Sequence, residues 1–94
     1  MTAYWIANVN VTDPEAYGEY AKLAGPALAK FGGTFLARGG RSVTLEGHDF
    51  ARHVLVAFPS FEQAEACYHS PEYKEALRLQ EGAADRNVCI VEGL

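Results

Sequence analysis

The stretch His53-Val54-Leu55-Val56-Ala57-Phe58 is apolar at every position after its histidine. Alternate residues of a strand point to opposite faces, so Val54, Val56 and Phe58 share one side while Leu55 and Ala57 share the other. A strand apolar on both sides is covered on both sides, which places residues 53–58 in the middle of a sheet. Pro59 has no backbone N–H to offer a ladder and stops the strand. Val88-Cys89-Ile90-Val91 has the same two-sided character, inside a last strand expected over residues 86–92. A sheet built around these segments needs a layer on each face, and the rest of the chain must supply it.

Working outward, Tyr4 to Val11 alternates Trp5, Ala7, Val9 and Val11 against Tyr4, Ile6, Asn8 and Asn10, the period of a strand. Asp13-Pro14-Glu15 then opens a helix: Asp13 is a capping residue, proline suits the first turn, and Glu15 and Glu19 favour the positive end of the helix dipole. Tyr17, Tyr20, Ala21, Ala24, Ala27, Leu28 and Phe31 trace one apolar stripe. Pro26 removes one ladder hydrogen bond, which predicts a kink near Gly25-Pro26, and Gly32-Gly33 ends the helix. Thr34 to Arg38 reads as a second strand. Gly39-Gly40 interrupts it and Arg41 to Glu46 resumes extended character, as a tight hairpin or as one long strand bent by a glycine bulge. Gly47-His48-Asp49 is a turn.

Ser60 with Gln63 three residues later makes a capping box, ahead of a helix that turns Phe61, Ala64 and Tyr68 inward. Ser70-Pro71-Glu72 restarts the helix after a break, with Tyr73, Ala76, Leu77, Gln80 and Ala84 on one stripe. The order β-α-β-β-α-β predicts a single α+β domain over residues 1–94, of ferredoxin-like topology, with an antiparallel sheet and two helices on one face. The helices leave the other face bare. A second copy packed sheet against sheet is the economical cover, so a two-fold homodimer is expected.

Composition narrows the function classes. Of 94 residues, 49% are hydrophobic, and eight basic against twelve acidic residues give a net charge of -4. The scattered arginines and lysines form no basic stripe, so neither nucleic acid nor an anionic membrane surface is an expected partner. No stretch approaches the roughly 20 apolar residues of a bilayer span. The N-terminus lacks the pattern of a signal peptide, so the expected compartment is the cytoplasm, with Cys67 and Cys89 reduced.

Several ordered segments carry a family resemblance. They are Tyr4-Trp5-Ile6-Ala7, Asp13-Pro14-Glu15-Ala16-Tyr17 with Tyr20, Phe31-Gly32-Gly33, Phe35-Leu36-Ala37-Arg38-Gly39-Gly40, Leu45-Glu46-Gly47, Phe58-Pro59-Ser60, Tyr68 with Ser70-Pro71-Glu72-Tyr73, and Val91-Glu92-Gly93. Together they resemble the bacterial family called domain of unknown function 1330, over essentially the whole chain. The resemblance implies the dimeric α+β barrel superfamily. That superfamily includes cofactor-free monooxygenases, lactone isomerases, haem-dependent enzymes and proteins without known activity, so the fold does not deliver the chemistry.

Candidate site residues follow from side-chain chemistry. Arg38, at a strand end beside glycines that allow close approach, suits a bidentate grip on a carboxylate, and pairing of the arginines with Glu46 or Asp49 is the plainer alternative. His48 and His53, flanking one turn, are the candidate general bases. Neither His-x-His nor His-Glu-x-x-His spacing occurs, so no metal or other cofactor is expected. Tyr17, Tyr20, Tyr68 and Tyr73 on inward helix stripes, with Trp5 from the first strand, would line an aromatic pocket for a small organic molecule. The same rings at helical spacing also serve as plain core. Tyr17 or Tyr68 is the candidate hydrogen-bond donor. Asn8 and Asn10 are expected to meet their counterparts across a dimer or to line a cavity. A homodimer using this pocket for cofactor-free isomerisation or oxygenation leads the functional readings, followed by a non-catalytic binder or sensor and by a structural dimer module.

Overall fold

A computed structural model describes all residues, Met1–Leu94. The elements are β1 (Ala3–Val11), α1 (Pro14–Lys30), β2 (Thr34–Arg38), β3 (Arg52–Phe58), α2 (Phe61–Tyr68), α3 (Pro71–Leu79) and β4 (Ala84–Glu92). The four strands form one antiparallel sheet in the order β2-β3-β1-β4, so β1 and β3 are central. This is the ferredoxin-like α+β arrangement the element order predicts. No helix is long and apolar enough to cross a membrane.

Local chemistry accounts for the helix boundaries. Ala16 N–H donates to Asp13 Oδ1 at 3.2 Å, Gln63 N–H to Ser60 Oγ at 3.1 Å and Tyr73 N–H to Ser70 Oγ at 3.2 Å. Each bond satisfies a donor that the first helical turn leaves over. The capping box at Ser60 is only half formed, because the Gln63 amide donates instead to the Phe31 carbonyl at 3.0 Å and ties α2 to the end of α1. Ser70 also returns its hydroxyl to the Cys67 carbonyl at 2.7 Å, making the break between α2 and α3 a hydrogen-bonded joint. Helix α1 runs without interruption through Pro26.

Strand alternation sorts the side chains as expected. Trp5, Ala7 and Val9 of β1, with Val56 and Phe58 of β3, are buried beneath the helices. Trp5 pairs with Val56 on one side and Ile90 on the other, and it is the hub of the core. Its ring lies 5.8 Å from Phe58, 5.0 Å from Tyr73 in edge-on contact and 5.8 Å from Tyr68. The opposite face carries Ile6, Leu55 and Ala57, all half-buried, and the exposed Cys89 and Val91.

Two expectations need correction. Residues 41–46 join no strand; residues 39–51 form an excursion between β2 and β3, exposed but for the buried Phe50. The sheet irregularity is a bulge between Phe35 and Ala37, ahead of the glycines rather than at them. Gly39, with φ of +70°, turns the chain out of the strand, and a Cβ there would collide with the Arg52 guanidinium. Ala84 belongs to β4, opposite Val11, and not to the preceding helix. Gly82, at φ of +75°, reverses the chain before it.

Candidate functional site

A cleft opens between α1 and the helix-covered face of the sheet. Tyr17, Tyr20, Ala21, Ala24 and Leu28, spaced at three and four residues, present one wall. Trp5, Val54 and Phe35 supply the floor, and three arginines reach in: Arg38 from β2, Arg52 from β3 and Arg86 from β4. The cleft holds about 450 Å³ of space between atoms, its open mouth included. Side chains from the wall and the floor crowd most of it, so the opening is a narrow slot. No aspartate or glutamate lines it. In a chain of net charge -4, this is a concentrated positive surface within aromatic walls.

Each arginine has a local reason for its place. The Arg38 guanidinium lies 4.2 Å from the centre of the Phe35 ring, and a Cβ on Gly25 would sit 3.7 Å from its Nη2. The cation thus lies against the helix at ordinary contact distance from the Gly25 position. Arg52 occupies the space that the missing Gly39 side chain leaves. Arg86 is stacked 4.8 Å from the Tyr20 ring centre and 6.0 Å from that of Tyr17. Arginine tolerates such burial better than lysine, since its planar, weakly hydrated guanidinium stacks on rings.

The innermost polar group is a three-membered chain. Arg86 Nη2 donates to Tyr73 Oη at 3.1 Å, and Tyr73 Oη lies 2.6 Å from Tyr20 Oη. Arg86 Nε and Nη1 are shielded from solvent and meet no acceptor in the protein. Burial holds both Tyr20 and Tyr73 above the ordinary phenol range; the charge of Arg86 opposes burial without cancelling it. Burial works against the Arg86 charge, but the two phenol oxygens beside it outweigh burial and keep the guanidinium protonated. The cleft therefore offers hydrogen-bond donors and positive charge.

The sequence-derived residues divide between the two faces of the sheet. Trp5, Tyr17, Tyr20 and Arg38 do meet in the cleft. Tyr68 packs on Trp5 but lines a neighbouring groove with Leu77, Gln80, Val88 and Arg86. His48 and His53 lie on the opposite, open face, where they share a shallow dish with Asn8, Glu46 and Asn87. His53 Nδ1 is 2.8 Å from Asn8 Oδ1; an amide oxygen only accepts, so Nδ1 carries the hydrogen. His48 rests on Phe50, with ring centres 4.7 Å apart. The sheet thus separates Arg38 from both histidines. Neither Arg38 nor Arg41 pairs with Glu46 or Asp49; Asp49 Oδ1 instead accepts from the Thr44 hydroxyl at 2.8 Å. Asn10 is engaged within its own chain, donating to the Asp49 carbonyl at 2.9 Å and accepting from Ala51 N–H at 2.8 Å.

Sequence reasoning missed Arg52 and Arg86. The signal was strand parity: Arg52 alternates in phase with Val54, Val56 and Phe58, and Arg86 with Val88 and Ile90. An arginine in phase with core residues is held under the helices.

Comparisons with known proteins place this geometry. The chain matches, over residues 2–94, the model of the family described as domain of unknown function (DUF1330). Among curated proteins, none matches it by sequence. Among solved structures it resembles a protein of unknown function from Rhodopseudomonas palustris, 21% identical, with a TM-score of 0.79 over 99% of this chain and 82% of that one. It also resembles a cofactor-independent oxygenase from Streptomyces nogalater, 8% identical, with a TM-score of 0.66 over 99% and 93% of the two chains. A third is a dimeric protein of unknown function and ferredoxin-like fold from Bacteroides fragilis, 12% identical, with a TM-score of 0.65 over 98% and 96%. At these identities the likeness establishes the fold.

Proposed function

This chain belongs to the family described as domain of unknown function (DUF1330), and from its site we propose that it is a homodimer that binds a small, flat organic anion in the cleft beneath α1. One observation carries the reading: three arginines and no acidic residue line a slot with aromatic walls. A guanidinium recognises a carboxylate, and stacked rings accept a planar apolar body. Arg38 and Arg52 at the rim attract the anion, and Trp5, Tyr17 and Tyr20 contact its body. The test is an unbiased thermal-shift screen of small carboxylates and matched neutral compounds. Stabilisation by carboxylates supports the reading, and a screen in which only neutral compounds stabilise the protein refutes it.

The homodimer is supported by the open sheet face, where Ile6, Leu55, Cys89 and Val91 form an apolar strip that no helix covers. Val43 and Leu45, 77% and 85% exposed, add apolar surface on the excursion between β2 and β3. A dimeric neighbour of the same fold from Bacteroides fragilis points the same way. Light scattering at micromolar concentration should return twice the chain mass; a monomeric mass overturns this part. We place the protein in the cytoplasm, which its two free cysteines, one exposed, support.

Cofactor-free isomerisation or oxygenation is the second reading, favoured by the donors of Arg86 and Tyr20, which suit a developing oxyanion, and by the oxygenase neighbour. No histidine or carboxylate lines the cleft to act as base, so such chemistry requires a substrate that ionises readily on its own. His53 and His48 serve as bases only for a molecule held in the open-face dish. Recovery of a bound ligand unchanged after aerobic incubation decides for the binder.

A further inference from the structure

The buried polar chain fixes where the anion sits. Tyr73 and Tyr20 share one hydrogen across 2.6 Å, and either oxygen is placed to give it. The surroundings decide which. Tyr73 is wholly buried, and its only polar neighbours are Arg86, which donates to it, and Tyr20. If Tyr20 were the donor, the hydrogen of Tyr73 would be buried with no acceptor, an arrangement that proteins avoid. Tyr73 therefore accepts from Arg86 and donates to Tyr20. That leaves the hydrogen of Tyr20, a residue of the cleft wall, unspent. Arg86 has further N–H groups, on Nε and Nη1, without an acceptor in the chain. A buried guanidinium stacked on a phenol ring and bonded only to a second phenol lacks a countercharge from its own protein.

We propose that Arg86 and the Tyr20 hydroxyl form the inner seat of the cleft, that they bind the carboxylate of a slim planar arene or unsaturated acid, and that Tyr73 positions the Tyr20 hydroxyl for it. This rests on the small-anion reading of the cleft and adds to it the site of the charge and the class of acid. The ligand enters carboxylate first. Its flat body lies in the slot that the small side chains of Ala7, Ala21 and Ala24 leave beside the Tyr17 and Phe35 rings. Arg38 and Arg52, nearer the rim, attract the anion without discriminating among acids. The narrowness of the slot favours a flat ring over a thicker saturated ring of the same carbon count.

The test uses benzoate, phenylacetate and cinnamate, each beside its primary amide, titrated into the wild-type protein and followed by backbone amide shifts. The wild type should bind at least one acid tenfold more tightly than its amide, with the largest shifts at residues 17–24 and 84–88. Cyclohexanecarboxylate should bind at least threefold more weakly than benzoate. Arg86→Met should bring the acid-to-amide ratio close to one, and Tyr20→Phe should lower it about threefold. Arg38→Gln should weaken all three acids by a similar, smaller factor and leave the acid-to-amide ratio well above one. If Arg86→Met does not fold, the wild-type ratio and Tyr20→Phe still decide. Equal binding of acids and amides overturns the inner seat while leaving a small-molecule cleft in place. A ratio lost in Arg38→Gln but kept in Tyr20→Phe moves the seat to the rim and also overturns it. No binding by any of the six compounds removes the small-anion reading together with the seat.

Discussion

The two faces of one sheet, built from the same strands, have opposite chemistry. Arg52 and His53 are adjacent in sequence, yet Arg52 lies under α1 in an aromatic slot and His53 faces outward, bonded to an asparagine. The covered face concentrates Trp5 and three arginines, while the open face carries Ile6 and Leu55 beside Asn8 and the histidines. The difference teaches how a small domain sorts its ionic groups. Strand parity decides which face a residue takes, and arginine is the cation that rings accommodate best there. The covered face is finished within one chain, and the open face is left for the second copy of the proposed dimer.

The largest expected effect is on the covered side. Trp5→Ala should cost about 3–5 kcal/mol of stability, because the hub of the core leaves a cavity that its neighbours fill only in part. Urea unfolding should also show that Ile6→Ala, one position along on the open face, costs far less in dilute protein. Equal losses would erase the contrast. Next, Leu55→Asp should halve the mass seen by light scattering while leaving the far-ultraviolet dichroism intact. A charged aspartate that stays dimeric would place the second copy elsewhere.

A smaller effect separates stability from binding. Replacing a buried, incompletely paired cation by an apolar side chain of similar length is often neutral or stabilising. Arg86→Met should therefore stay within about 1 kcal/mol of the wild type, or exceed it, while losing its preference for acids. A loss above about 3 kcal/mol would make Arg86 a structural residue. Alkaline pH probes the same side. Burial pushes the Cys67 thiol up to about 11 and raises the Tyr20 and Tyr73 phenols. The unfolded chain gives up these protons first, so stability is complete below about pH 9 and falls as the pH climbs through 11. Urea midpoints at pH 7, 9 and 10.5 should show this decline, and Cys67→Ala should delay its onset. The smallest change is at the rim of the open face. Asn10→Ala should cost about 1 kcal/mol and speed amide exchange at Ala51, whose N–H it frees.

The order of elements was readable because each boundary had a local cause. Asp13, Ser60 and Ser70 all cap the helices they precede, and the two-sided apolar run at 53–58 does form a central strand. Residues 41–46 misled, since Val43 and Leu45 alternate like a strand but have no neighbour to pair with. Pairing is a property of the fold and not of the segment. In the site, the aromatic members and Arg38 were legible from helical stripes and a strand end. His48 was not placed, because a turn residue reveals nothing of the face on which it lies, whereas His53 alternates in phase with Leu55 and Ala57, a parity that marked the open face. Arg86 escaped notice as one charge in a scattered set, although its phase with Val88 and Ile90 marked it as an inward cation.

The excursion between β2 and β3 is fastened at both ends. Gly39 N–H donates to the His53 carbonyl at 2.9 Å, and the Asn10 amide grips Asp49 and Ala51. Between these fastenings, Gly40–Gly47 is exposed throughout. Closing a longer loop costs only about 0.6 kcal/mol for each doubling of its length. The segment is thus a cassette: evolution or an engineer can lengthen it, shorten it or write a new recognition surface into it, and the sheet beneath keeps its register.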